Sequence, residues 1–256
     1  MKWMKIPRAL RDIIEVLLQH KMPWANRKMV ARALCRMKWK LNVKPYVPTT
    51  VVGLAGRSVE LCNDAASQFI LKEVWLDKVY EPMVHLQPRS ILDLGANQGI
   101  AGLYFVQRFE SLKRLVMYEP ADNCFQLLCS NLPEAEKHRE AVGVQEGTLR
   151  LVSGGVVNSR VRDEGEGLEV PVVSMRSLLS VSWDLVKMDI EGAEWKVLAD
   201  LSLTPEWLGR VKYWMIEFHQ LEVGAEFRSQ IFEAFASQGY KNRLQGDVVH
   251  FYHENL

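Results

Sequence analysis

The sequence predicts an α/β fold: a Rossmann-like, mostly parallel sheet covered by helices on both faces, preceded by a helical N-terminal extension. Three observations carry this. Apolar runs at 90–94, 115–118, 183–189 and 213–219 alternate with helical segments, and near-continuous apolar strands belong to parallel sheets buried on both faces. The first run leads into a glycine-bearing turn, Gly95 to Gly99, and then into a helical stretch at 100–109. At the end of the chain, 240–245 and 248–253 flank Gly246-Asp247, the pattern of an antiparallel hairpin at a sheet edge. Ahead of these, 50–54 and 58–61 around Ala55, Gly56 and Arg57 read as a hairpin, and 67–80 as a helix.

A chain of 256 residues with 48% hydrophobic and 25% charged residues has ordinary globular composition and can bury a core unaided. We divide it into a basic helical extension, 1–48, and a catalytic-type domain, 49–256. The cysteines Cys35, Cys62, Cys124 and Cys129 include no pair with the two-residue spacing of a zinc or redox motif. They read as reduced thiols. No apolar run is long enough to span a bilayer, and charges occupy the N-terminus where a signal peptide would be apolar. The expected location is cytoplasmic, peripheral to a membrane if the extension binds one.

The net charge of +1 is unevenly spread. Residues 1–45 hold twelve Lys or Arg against two acids, or +10, and the remainder holds twenty against twenty-nine, or −9. Leu10, Ile13, Ile14, Leu17 and Leu18 follow the spacing of one helical face, as do Met29, Val30, Ala33, Leu34, Met37 and Leu41. On the second helix Lys28, Arg32, Arg36 and Lys40 form a basic row. A solvated face, an anionic membrane surface, with Trp3, Trp24 and Trp39 nearby, and nucleic acid are the readings in that order.

The segment Ile91-Leu-Asp93-Leu-Gly95-Ala-Asn97-Gln-Gly99 is a buried strand entering a turn in which side chains at Gly95 or Gly99 would obstruct a ligand at the strand's carboxyl end. The next strand ends in Glu119, about 20 residues on, where an acid can accept hydrogen bonds from a ribose. Together they predict an adenosine-containing ligand. A dinucleotide would want a three-glycine phosphate cradle. Asp93 and Asn97 instead offer polar side chains, which suits a ligand with an amino-acid end.

Four landmarks resemble the FkbM-type methyltransferase family: Asp93-Leu-Gly95-Ala-Asn97-x-Gly99, Glu119-Pro120, Lys187-Met-Asp189-Ile-Glu191-Gly192-Ala193-Glu194, and Ile216-Glu217-Phe218-His219. The third is the most specific. The resemblance covers roughly the last four-fifths of the chain and leaves the extension unexplained. It implies a class I methyltransferase fold with seven strands, one of them antiparallel. It also implies S-adenosylmethionine as cofactor, held by Asp93, Gly95, Asn97, Gly99, Glu119 and Asp189, with Ala141 beside the adenine, and a hydroxyl of a small molecule or glycan as methyl acceptor. A nicotinamide-dependent dehydrogenase and a non-catalytic binding module on the same fold are the rival readings.

Methyl transfer to oxygen needs in-line approach and a base. Alternation along a strand puts Lys187 with Asp189, and Glu217 with His219, on shared faces at the cofactor's edge of the sheet. Asp189, Glu191 and Glu194 are three close carboxylates; helix capping, a cationic ligand, Lys187 or a divalent metal would each relieve their repulsion. No metal is assigned. Lys187 in an apolar strand reads as an internal ion pair. His219 is the expected general base with Asp189 and Glu191 beside it, because imidazole exchanges protons near neutrality.

Each basic side chain near an anionic bilayer contributes about 1 kcal/mol. Reversing Lys28, Arg32, Arg36 and Lys40 to Glu is therefore expected to abolish sedimentation with anionic vesicles. Binding to polynucleotide but not to vesicles would reassign the extension.

Overall fold

A computed structural model describes residues 48–54, 57–62, 65–152, 160–162, 168–219, 224–254 and 256, with 14, 17, 18, 24, 27, 28 and 31 from the N-terminal segment. Of the basic row, Arg32, Arg36 and Lys40 lie outside these residues; Lys28 is exposed, its ammonium 5.1 Å from the Trp24 ring. The chain forms two compact units, Met1–Lys78 and Val79–Leu256. The expected boundary at 48 falls inside the first. No helix among the described residues is long and apolar enough to cross a membrane.

In the first unit β1 (Pro48–Leu54) and β2 (Arg57–Cys62) pair antiparallel, with Arg57 in the strand rather than in the turn. Helix α1 (Ala65–Lys72) loosens into a π-turn, Glu73–Asp77, and stops at Lys78 in the left-handed conformation (φ 55°). The helix expected to continue to residue 80 therefore ends three residues sooner, at Asp77.

The second unit is built on β3 (Ser90–Leu94), β4 (Arg114–Tyr118), β5 (Glu136–His138), β10 (Trp183–Met188), β11 (Val211–Glu217), β12 (Lys241–Gln245) and β13 (Val248–Tyr252). They form one sheet in the order β12-β13-β11-β10-β3-β4-β5. Strands β5, β4, β3, β10 and β11 are parallel neighbours, and β13 runs antiparallel to both β11 and β12. This is the expected seven-stranded sheet with an edge hairpin. Exposed Lys241, Asn242 and Arg243 cover β12, and charged, exposed side chains of this kind discourage pairing with another chain.

Between the strands run α2 (Ile100–Arg108), α3 (Asp122–Asn131), α5 (Glu194–Ser202) and α6 (Ala225–Ser237). Leu92, Leu94, Val186, Met188, Trp214 and Ile216 share one face of the sheet and pack with Trp195, Leu198 and Leu201 of α5 and Ile231 and Phe235 of α6. The opposite face carries Ile91, Leu185 and Tyr213, then the polar pair Asp93 and Lys187 at its carboxyl end.

A second sheet was not expected from the sequence. It comprises β6 (Ala141–Gly143), β7 (Gly147–Val152), β8 (Arg160–Arg162) and β9 (Leu168–Ser174), ordered β6-β9-β7-β8, and short α4 (Met175–Leu178) follows it. Two of the strands have three residues, and Pro171 interrupts a third, which argues against a strand in sequence terms.

His250 on β13 is fully buried and tethers the segment that precedes β3. Its Nε2 donates to the Val79 carbonyl (2.8 Å), its Nδ1 accepts from the Tyr213 hydroxyl (2.9 Å), and that hydroxyl accepts from the Met83 amide (2.8 Å). Burial holds the imidazole neutral down to about pH 4, with the Val79 bond opposing only in part. The unfolded imidazole takes its proton near 6.5, so between these values the unfolded state binds more protons and stability falls as pH falls. The stability advantage of the native chain over His250→Gln is expected to shrink by about 3 kcal/mol between pH 7 and pH 4. Urea denaturation of both at each pH measures it.

Candidate active site

The turn after β3 owes its shape to three left-handed residues, Gly95 (φ 77°), Asn97 (φ 50°) and Gly99 (φ 85°). The glycines are needed for packing within the protein itself. A Cβ on Gly95 would sit 1.7 Å from the Asp189 carbonyl oxygen, and one on Gly99 2.9 Å from Leu128. Gly95 thus lets the end of β3 press against the end of β10.

Every backbone N–H of the turn is used inside the protein. Those of Gly95 and Ala96 donate to the Tyr118 carbonyl, Asn97 to Glu119 Oε2, Gln98 to Asn97 Oδ1, and Gly99 to the Ala96 carbonyl. Asn131 adds a buried bond to the Gln98 carbonyl (2.9 Å). Glu119 is buried at the end of β4, with Oε2 on the Asn97 amide (2.8 Å) and Oε1 on the Ala121 amide (2.8 Å). Burial raises its pKa to about 7 against those two hydrogen bonds.

Lys187 lies buried between the two strand ends. Its Nζ is 3.3 Å from Asp93 Oδ1, 3.3 Å from Asp189 Oδ2 and 2.6 Å from the Gly95 carbonyl. Burial favours losing the proton, but Asp189 and Asp93 outweigh it and hold the ammonium charged. Asp93 is wholly buried and has no hydrogen-bond partner among the described residues apart from this ion pair.

His219 follows β11 and meets four carboxylates. Nδ1 is 3.1 Å from Glu194 Oε1; Nε2 is 3.4 Å from Glu217, 3.8 Å from Asp189 and 3.9 Å from Glu191. Burial alone would lower its pKa, but the Glu194 bond and the charges of Asp189, Glu194 and Glu217 raise it to about 9. In the ligand-free protein the carboxylates therefore favour the imidazolium form of His219 through the range near neutral pH. Glu191 takes that range: burial and the Asp189 charge raise its pKa to about 7, with His219 opposing. It also sits left-handed (φ 56°), which costs a non-glycine residue about 1–2 kcal/mol.

The geometry gathers Asp93, Gly95, Asn97, Glu119, Asp189, Glu191 and His219 at one edge of the sheet. Gly99 closes the same turn, and the Ala141 side chain packs with Leu151 and Val170 in the core of the second sheet. Asp189, Glu194 and His219 are close enough together to hold a metal ion, a histidine company the sequence did not reveal for these acids. Glu194 and Trp195 were missed as partners of His219; they lie 25 and 24 residues from it, and no local spacing signals such a contact.

The Methyltransferase FkbM domain model matches residues 93–241, more than half of the chain. The chain belongs to this family. Among curated proteins, methyltransferase sdnD of Sordaria araneosa is 35% identical over 66 residues, 26% of this chain and 25% of that protein. The solved methyltransferase FkbM of Methylobacillus flagellatus KT superposes with a TM-score of 0.51 at 12% identity, over 96% of this chain and 59% of that one. The chain thus spans about three-fifths of this FkbM structure, and the likeness shows a shared fold, the Rossmann-like class I methyltransferase fold.

Removing the Glu119 carboxylate leaves the backbone amides of Asn97 in the turn and of Ala121 after β4 without acceptors, at about 1–3 kcal/mol each. Glu119→Ala is expected to lower the melting temperature of the ligand-free protein by several degrees. An unchanged melting curve would remove Glu119 from the turn's support.

Proposed function

We propose that this chain is an S-adenosylmethionine-dependent methyltransferase acting on a hydroxyl of a small-molecule or glycan-type acceptor. The observation that carries the reading is the turn of Gly95–Gly99, whose amides are all spent internally while carboxylates surround it. A pyrophosphate needs free amides and positive potential, so a nicotinamide dinucleotide does not fit. A ligand with ribose hydroxyls, an ammonium and a positive sulfur does. The family and its shared fold agree.

Bound at this edge, the cofactor would supply a methyl group on a positively charged sulfur. Each Glu119 oxygen holds one amide and keeps a lone pair for ribose hydroxyls. Asp93 and Asp189, neutralised in part by Lys187, present negative charge toward the ammonium and the sulfonium. Such a donor would methylate the acceptor's hydroxyl oxygen, whose proton the protein must then take up. Glu191 takes the hydroxyl proton; a base with pKa about 7 is matched to neutral pH. His219, as an imidazolium, steadies the carboxylates around it.

Calorimetric titration tests the binding half. S-adenosylhomocysteine should bind in one site and reduced nicotinamide dinucleotide should not. Because ribose hydroxyls favour the charged form of Glu119, complex formation at pH 7 should release a fraction of a proton, seen by comparing buffers of different ionisation enthalpy. Absence of binding would discard the cofactor assignment.

The catalytic half is read as S-adenosylhomocysteine release with fractionated cell extract as acceptor source. Turnover should fall on the acid side of a limb near pH 7, and Glu191→Gln should lose the limb and about a hundredfold in rate. A limb that persists in Glu191→Gln would place the base elsewhere.

A further inference from the structure

We propose that Glu194 and Trp195, consecutive residues opening α5, are positioning residues that grip His219 by ring and by main chain and lock the neighbouring Glu191 turn to it. The inference rests on the methyltransferase reading for its purpose, but not for its geometry.

Glu194 is fully buried, and its carboxylate accepts no hydrogen bond from its own helix among the described residues. Helix α5 has no side-chain cap, and the carboxylate turns back on the preceding turn, where Oε1 accepts from the Ile190 amide (2.7 Å) and Oε2 from the Gly192 amide (2.8 Å). These amides flank Glu191 and hold it in its left-handed conformation. The same Oε1 meets His219 Nδ1 at 3.1 Å. One carboxylate therefore bonds both the turn that carries Glu191 and the ring across from it.

Trp195 acts on the other side. Its indole N–H donates to the His219 carbonyl (2.6 Å), and its ring packs on Phe218 with centroids 4.4 Å apart, Phe218 in turn leaning on Phe232. Adjacent helical residues thus fix the backbone and the ring of one histidine. With Nδ1 and the carbonyl both held, Nε2 has one direction left, toward Glu217, Asp189 and Glu191.

If Trp195 only filled the core, its loss would change stability and leave the imidazole as it was. If it positions His219, removing its N–H shifts the ring away from Glu194 and changes the proton affinity of a group that the indole never touches. The titratable groups facing the ring are Asp189, Glu191, Glu194 and Glu217, and all four remain in Trp195→Phe.

The test is the titration of the His219 ring by nitrogen-detected NMR of the full chain, without acceptor, in the native chain, Glu194→Gln and Trp195→Phe. The midpoint should fall by roughly one unit or more in Glu194→Gln and by about half a unit in Trp195→Phe. An unchanged midpoint in Trp195→Phe would overturn the main-chain grip, and one unchanged in Glu194→Gln the ring grip. Should Glu194→Gln fail to fold, Trp195→Phe, which keeps an aromatic ring in place, still decides the main-chain grip, and Glu194→Asp, whose shorter side chain withdraws the carboxylate from Nδ1, decides the ring grip by the same fall or constancy of the midpoint. Calorimetry with S-adenosylhomocysteine on the native chain separates the two claims: no binding there sinks the functional reading, while the ring titration still judges the grip.

Discussion

The ammonium of Lys187 is the constraint on which the rest of this edge of the molecule depends. Two strand ends, from β3 and β10, bring the carboxylate of Asp93 into the interior and that of the partly exposed Asp189 beside it, and a buried carboxylate without a partner is expensive. Lys187 lies between them and also donates to the Gly95 carbonyl. It therefore fixes the approach of the strand ends, while the missing side chain of Gly95 permits it, since a Cβ there would strike Asp189. Breaking a buried pair of this kind typically costs about 3–5 kcal/mol, more than any turn bond nearby.

From that constraint the electrostatics of the edge follow. Carboxylates of Asp93, Asp189, Glu191, Glu194 and Glu217 face only Lys187 and His219 as cations among the described residues. The pKa changes reflect it: the carboxylates drive His219 up to about 9 against its burial, and burial first, then the Asp189 charge, raise Glu191 to about 7. Such a place repels phosphate and welcomes positive charge. The spent amides of the Gly95–Gly99 turn point the same way, so backbone and side chains agree on the class of ligand.

Much of this was legible in the sequence, for reasons that differ by element. The strand 90–94 coincides with β3, because Ile91, Leu92 and Leu94, buried on both faces of the sheet, leave an apolar stretch interrupted only by Asp93 and ending in a glycine turn. The tail hairpin was legible because Gly246, at φ 59°, stands first in a two-residue turn. Asp93, Glu119 and His219 were visible as polar residues closing apolar strands. Their states were not. The proton affinity of His219 depends on acids from β10, β11 and the turn before α5, and no local spacing reports that they converge. The reason for Gly95 was hidden likewise, since its neighbour is the carbonyl of a residue 94 positions away. The second sheet escaped because its strands are short and Pro171 interrupts one.

The central claim is that the ends of β3, β4 and β10 form one cofactor bed, joined through Lys187. Amide hydrogen exchange of the full chain with and without S-adenosylhomocysteine tests it most directly. The account predicts that residues 95–99, 119–121 and 189–193 gain protection together, and that in Lys187→Met they no longer do so. Protection confined to one of these segments, or appearing instead on the second sheet at 141–152, would contradict it.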